Sequence, residues 1–241
     1  MIRCNACRLL QHLPAKAALL LIFFALAAEV YGQNQPDNIA FEFKQIQKGD
    51  NSSDTLLGRA YYFDESLHLH VHHPVNQISY VDGGSMKVYY PYSNRGYHMS
   101  SDTPFDLPIV NSLIASLKDD YGLAAIGFKV RSNSTSGDTL ITQWEHASGS
   151  ENGVFEVYHS GNVIVKARFE AQSISLETEL DGHKTIDGHA IPTKISTSHQ
   201  NQRSSTHEKL YFDEISVNPD IPDSVRNFAF PENAEIETRQ F

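Results

Sequence analysis

Histidines crowd one short segment of the chain: His68, His70 and His72 alternate with Leu67, Leu69 and Val71, and His73 follows directly. On an extended strand, alternate residues share one face about 7 Å apart, and two imidazoles so placed can share a zinc ion. A catalytic zinc also needs a third ligand from elsewhere. Period-two alternation already explains why these positions are polar. The stronger reading is of solvated or hydrogen-bonded histidines on the polar face of a strand. The lesser one is a metal-dependent enzyme, which predicts stoichiometric zinc in untagged protein. His183, His189, His199 and His207 are scattered through turn-like or polar segments and add little.

Covalent chemistry finds less support. The sequence has no G-x-S-x-G elbow, no H-E-x-x-H pair and no glycine-rich phosphate loop. The paired acids Asp119-Asp120 and Asp213-Glu214 are adjacent in sequence, so on strands they point to opposite faces and read as surface charge instead of a general acid and base. No catalytic residue, metal or cofactor is expected.

The elements around the histidines are strands. Thr55–Phe63, Leu67–His72, Ile78–Val81 and Met86–Tyr90 form an expected meander, and Asp82-Gly83-Gly84 supplies the positive φ angles of a hairpin. Ile39–Gln47 reads as a strand before it. Later, Val163, Val165, Ala167 and Phe169 alternate with Ile164, Lys166, Arg168 and Glu170, and Ile174, Leu176 and Leu180 alternate with Ser175, Glu177 and Glu179. Such half-buried strands, separated by Gly and Asp turns, predict a large up-and-down antiparallel sheet. One apolar sheet face then needs a cover. From Asp106 to Tyr121 the period changes, because Ile109, Val110, Leu113, Ile114 and Leu117 form a helical stripe. Asp106 is the expected N-cap, with Pro108 in the first turn and Gly122 past the end. This helix reads either as core or as a lid over a cavity that opens for a hydrophobic guest.

Arg3, Arg8 and Lys16 precede a twelve-residue apolar run, Ala17 to Ala28, and a small-residue exit. That pattern predicts a signal peptide over residues 1–32, cleaved after Gly32, and it is short of the roughly 20 residues of a membrane span. The expected mature chain, residues 33–241, is a single soluble domain without cysteine, since Cys4 and Cys7 lie upstream of the apolar run. It carries 16 Lys and Arg against 28 Asp and Glu, a formal charge of −12. A phosphate backbone would be repelled, so no nucleic acid is expected as a partner. Aromatic side chains (Tyr61, Tyr62, Tyr80, Tyr89, Tyr90 and Tyr92) cluster in the first sheet wall, as strand-favoured residues or as the mouth of a pocket.

Several short motifs fall in one order: Gly58-Arg59-Ala60-Tyr61, a strand ending at Pro74, Val81-Asp82-Gly83, Met86, Tyr89-Tyr90-Pro91, and Pro104-Phe105 before the helix. Downstream come Asp187-Gly188-His189-Ala190-Ile191-Pro192-Thr193-Lys194-Ile195, Ile221-Pro222-Asp223-Ser224, Phe228-Ala229-Phe230-Pro231 and Ala234-Glu235-Ile236. Together they resemble the LolA-type outer-membrane lipoprotein carriers and the broader lipoprotein-sorting proteins. The resemblance implies a mainly β fold, a half-open antiparallel β-barrel with one or more lid helices over an apolar concave face. It also implies a periplasmic carrier for lipoprotein acyl chains or a similar amphiphile, working as a monomer between an inner-membrane donor and an outer-membrane acceptor. An alternative is a lipid-sensing or regulatory module of the same fold that acts through a stable protein partner. The expected wall and lid are Leu67, Leu69, Val71, Met86, Val88, Ile109, Leu113, Leu117, Val165 and Phe169. The chain departs from the family in opening on a strand and in placing His68, His70 and His72 where the carriers commonly have a lid-latching arginine. These histidines are therefore the expected latch, with closure sensitive to pH near about 6.5.

Overall fold

Period-two alternation becomes an antiparallel ladder along most of the chain. The computed structural model describes residues 36–49, 52–105, 109–149, 153–202 and 204–241. All lie in the second of the two units into which the chain divides, Met1–Asn34 and Gln35–Phe241. The expected signal peptide with its cleavage point and cysteines, and Asp106 and Pro108 of the expected helix start, lie outside the described residues.

The first half comprises β1 (Asn38–Lys48), β2 (Ser53–Phe63), β3 (Ser66–His73), β4 (Gln77–Asp82), β5 (Ser85–Tyr90), β6 (Arg95–Ser100) and the helix α1 (Asn111–Ser116). The second comprises β7 (Phe128–Ser136), β8 (Thr139–His146), β9 (Val154–Ser160), β10 (Val163–Ala171), β11 (Ile174–Asp181), β12 (Lys184–Ile186), β13 (His189–Ile191), β14 (Lys194–Asn201), β15 (Ser205–Val217), α2 (Asp223–Arg226) and β16 (Glu235–Gln240). Fourteen of these strands form one open sheet in the order β16-β6-β5-β4-β3-β2-β1-β15-β14-β11-β10-β9-β8-β7, and β12 pairs with β13 in a separate hairpin. Every neighbouring pair in the large sheet is antiparallel except β16 and β6. The hairpin expected at Asp82-Gly83-Gly84 joins β4 to β5, with Gly83 at φ 52.

Two sequence expectations change. The helix expected over Asp106–Tyr121 is only six residues long in α1, flanked by Val110 and Leu117 with no side-chain cap at Val110. Local side chains compete for its backbone. The Ser116 hydroxyl donates to the Leu113 carbonyl at 2.6 Å, and the Asp120 carboxylate accepts from the Gly122 and Ala124 amides at 2.9 and 3.1 Å, which starts a separate 3-10 turn over Ala124–Ile126. Ile109 (φ 73), Tyr121 (φ 55) and Gly122 (φ 76) take left-handed backbone on either side.

The second change is a bulge in β10. Ile164 pairs with His159 and Lys166 with Tyr158, so Val165 is the extra residue and the alternation slips by one. Ile164, at 3% exposure, takes the core side that Val165 was expected to hold.

The core joins Ile39, Phe41 and Phe43 of β1 to Leu67, Leu69 and Val71 of β3 and to Val157, Ile164, Leu180, Ile195, Leu210 and Phe212 of the second half. Phe41 meets Phe212 edge-on at 5.1 Å. The opposite face of β2–β6 is covered too, by the chain after β15. There Arg226 lies over the Phe63 ring and pairs with Asp64, Phe228 packs on His68 and Tyr80, and Phe230 packs on Tyr89. A Cβ at Gly96 would meet Phe230 at 2.7 Å, so this position must lack a side chain. β16 then extends the sheet by one strand, pairing parallel with β6.

Candidate ligand cavity

α1 sits on the concave face because its own apolar residues have nowhere else to go. Val110 and Leu113 are fully buried, and Leu123 beyond the helix is nearly so. Ile114 and Leu117 border a recess shared with Tyr62 of β2, while Asn111, Ser112 and Ala115 border a cavity shared with Phe155 of β9. Those strands lie six places apart in the sheet, about 29 Å if it were flat at roughly 4.8 Å per strand. A helix is only about 10 Å across. The sheet therefore curls around α1.

The two recesses differ in character. The one beside Tyr62, about 520 Å³, is lined by Asp37, Asp64, Glu65, Lys118 and Arg226 among others, which suits water better than an apolar guest. The one beneath α1, about 190 Å³, is mostly apolar. Phe155, Ala167, Phe169 and Leu176 form its wall, and none of its lining residues is charged. Phe155 stacks on Phe169 at 4.6 Å and on Phe128 at 5.1 Å. Trp144, paired across the ladder with Phe155, packs against the core, and its buried Nε1 has no hydrogen-bond partner.

Hydroxyls sit on the same wall. Thr178, 3% exposed, lies on β11 opposite Ala167 and Thr197, and its Oγ1 is 3.3 Å from that of Thr197. The Tyr121 hydroxyl lies toward Ser112 and Thr178, whose hydroxyls favour its ionised form, yet burial outweighs them and holds this phenol above its ordinary range. The turn after α1 is tied down again where His159 Nε2 donates to the Asp119 carbonyl at 3.1 Å.

The expected wall and lid residues divide accordingly. Leu67, Leu69, Val71, Ile109 and Leu113 join the buried cluster, and Met86 and Leu117 pack against it. Phe169 lines the cavity, Val88 is buried outside that cluster, and Val165 sits at the bulge. Tyr121, Ser112, Phe155, Thr178 and Thr197 were not singled out from sequence. The signal for Thr178 was there, as the polar interruption between Leu176 and Leu180 on an apolar face.

The histidines fall on the other face of the sheet from α1. His68 is 6% exposed, held edge-on between Tyr61 at 6.2 Å and Phe228 at 5.7 Å, and its Nδ1 has no partner. Burial, helped by the charge of nearby His70, lowers its pKa to about 4. His70 Nε2 bonds Asn76 Oδ1 at 2.9 Å, and His72 is exposed. A latch on α1 is thus out of their reach, because alternation sends them through the sheet to the C-terminal cover. Among the described residues no three His, Cys, Asp or Glu side chains converge as a metal would require.

An open, curled antiparallel sheet with a short helix seated on its concave face is the architecture of the LolA-like lipoprotein-sorting folds. Solved structures bear this out. A LolA superfamily protein from Nitrosomonas europaea matches with TM-score 0.52 and 14% identity, over 83% of this chain and 92% of that one. A putative outer-membrane lipoprotein-sorting protein domain from Vibrio parahaemolyticus matches with TM-score 0.51 and 10% identity, over 84% and 94%. A DUF1329 family protein from Desulfovibrio piger matches with TM-score 0.51 and 12% identity, over 88% and 96%. At these identities the likeness is one of fold. No protein-family model and no curated protein matches the chain.

Proposed function

We propose that this protein is a non-enzymatic periplasmic carrier that holds acyl chains of lipoproteins, or a similar amphiphile, against its concave face and moves them toward the outer membrane. The observation that carries this is an apolar cavity beneath a helix with little means of standing alone. α1 has six residues and no side-chain N-cap, whereas isolated helices shorter than about 12 residues are marginal. Its place is kept by Val110 and Leu113, which a chain of methylenes can replace as partners for the wall. Each methylene buried is worth roughly 0.8 kcal/mol.

At about 190 Å³ the cavity admits only part of such a chain, since roughly 150 Å³ is the room one benzene ring takes. Loading therefore lifts α1, and the left-handed residues Ile109, Tyr121 and Gly122 are the hinges. The lipoprotein-sorting likeness supports the acyl guest, an inner-membrane donor and an outer-membrane acceptor. No helix among the described residues is long and apolar enough to cross a membrane.

Two experiments test the proposal. Native mass spectrometry of protein purified from its own host should show a mass increment that organic extraction resolves into acyl lipid. Ala115→Leu, which fills the cavity from the helix side, should weaken binding of a fluorescent acyl probe at least tenfold while changing unfolding stability by less than about 1.5 kcal/mol. Unchanged probe affinity in that variant would overturn the assignment of the cavity.

A further inference from the structure

We infer that the cavity beneath α1 selects an uncharged acyl carbonyl, that of an ester or an amide, and rejects the carboxylate of a free fatty acid. This rests on reading the cavity as an acyl site and adds which end of the acyl group enters it. The polar side chains lining the cavity are all neutral: the hydroxyls of Ser112, Tyr121, Thr178 and Thr197 and the amide of Asn111. Thr178 is the telling one. It sits between Leu176 and Leu180 on the core side of β11, where Val would have the same shape without a hydroxyl to desolvate.

Thr178 and Thr197 are within bonding distance of each other at 3.3 Å, a contact that uses one of the four hydroxyl protons. O–H groups remain on this wall to donate to a guest. A neutral carbonyl accepts such a bond and needs nothing further. A carboxylate in the same place would give up part of its hydration and face no cation, because no Lys, Arg or His lines the cavity. The phenol of Tyr121, held above its ordinary range by burial, stays a neutral hydroxyl at any physiological pH.

Trp144 makes the inference measurable. It is the one tryptophan of the chain and faces Phe155 of the cavity wall across the ladder. Four probes sharing a bromine-tipped twelve-carbon chain, namely the methyl ester, the N-methylamide, the free acid and the plain bromoalkane, are titrated into the full chain at pH 8 while Trp144 quenching is followed. The ester and the amide should bind at least tenfold more tightly than the acid. Thr178→Val and Tyr121→Phe should each lower ester affinity severalfold and leave bromoalkane affinity unchanged, and Thr178→Ser should restore the ester preference. If ester, acid and alkane bind alike, or if both variants keep wild-type ester affinity, the carbonyl inference falls and the acyl site stands. If no probe quenches Trp144, the acyl site falls with it. Should Thr178→Val not fold, Thr197→Val carries the same comparison.

Discussion

The C-terminal segment grips the outer face of β2–β6 with rings, an ion pair and a paired strand, whereas α1 rests on the concave face as a six-residue helix without a side-chain N-cap. Phe228 and Phe230 each stack on rings of the sheet, and Lys87 Nζ donates to the Phe228 carbonyl at 3.3 Å. Under α1 there is a void lined with hydroxyls. A cover that fills its seat and bonds along an edge behaves as part of the core. A cover that leaves a void and owes its shape to tertiary contact can be displaced at low cost. In the proposed carrier, that difference makes α1 the moving part and the C-terminal segment the fixed one.

Acidification should break the fixed cover first. His68 is neutral in the folded protein down to about pH 4, while in the unfolded chain it takes a proton near 6.5. The unfolded state thus binds more protons between these values, and stability falls as pH drops through that window. The full difference approaches about 3 kcal/mol. Urea unfolding at pH 7 and pH 4.5 measures it, and His68→Leu should flatten the part that comes from this residue. At constant pH, Phe228→Ala removes a half-buried ring and should cost about 2 kcal/mol of global stability. Amides of β16 and β6 should lose protection together.

The movable cover should respond differently. Ala115→Gly weakens α1 by about 1 kcal/mol, and the loss should appear as roughly fivefold faster exchange of the α1 amides with little change in the urea midpoint. Equal loss in both measurements would mean that α1 opens only with the whole fold. The smallest effect is expected at Arg226→Ala, whose ion pair with Asp64 is largely exposed and worth no more than about 0.5 kcal/mol once screened by solvent.

Much of the fold was legible in the chain because strands announce themselves by alternation. The β3 and β5 patterns, the Gly83 hairpin and the large antiparallel sheet follow from it. What escaped depends on contacts distant in sequence or on one residue of slippage. Val165 reads as inward by parity, and only the bulge that pairs Ile164 with His159 reverses it. His68 reads as a solvated polar position, yet Phe228, 160 residues later, covers it. The helical stripe near Leu113 was visible, but not that Ser116 and Asp120 would end the helix early. Of the cavity, sequence gave Phe169 and missed the hydroxyls, since a threonine on a strand looks the same whether it faces water or a pocket.

Photo-crosslinking tests the central claim most directly, by asking which face meets the acyl group. A benzophenone amino acid is placed in turn at Phe169, on the cavity wall, and at Tyr80, beneath the C-terminal cover, and each variant is irradiated with a twelve-carbon acyl ester. A covalent adduct is expected at position 169, suppressed by an excess of unlabelled ester, and none at position 80. An adduct at 80 alone, or at neither position under conditions where Trp144 reports binding, would contradict it.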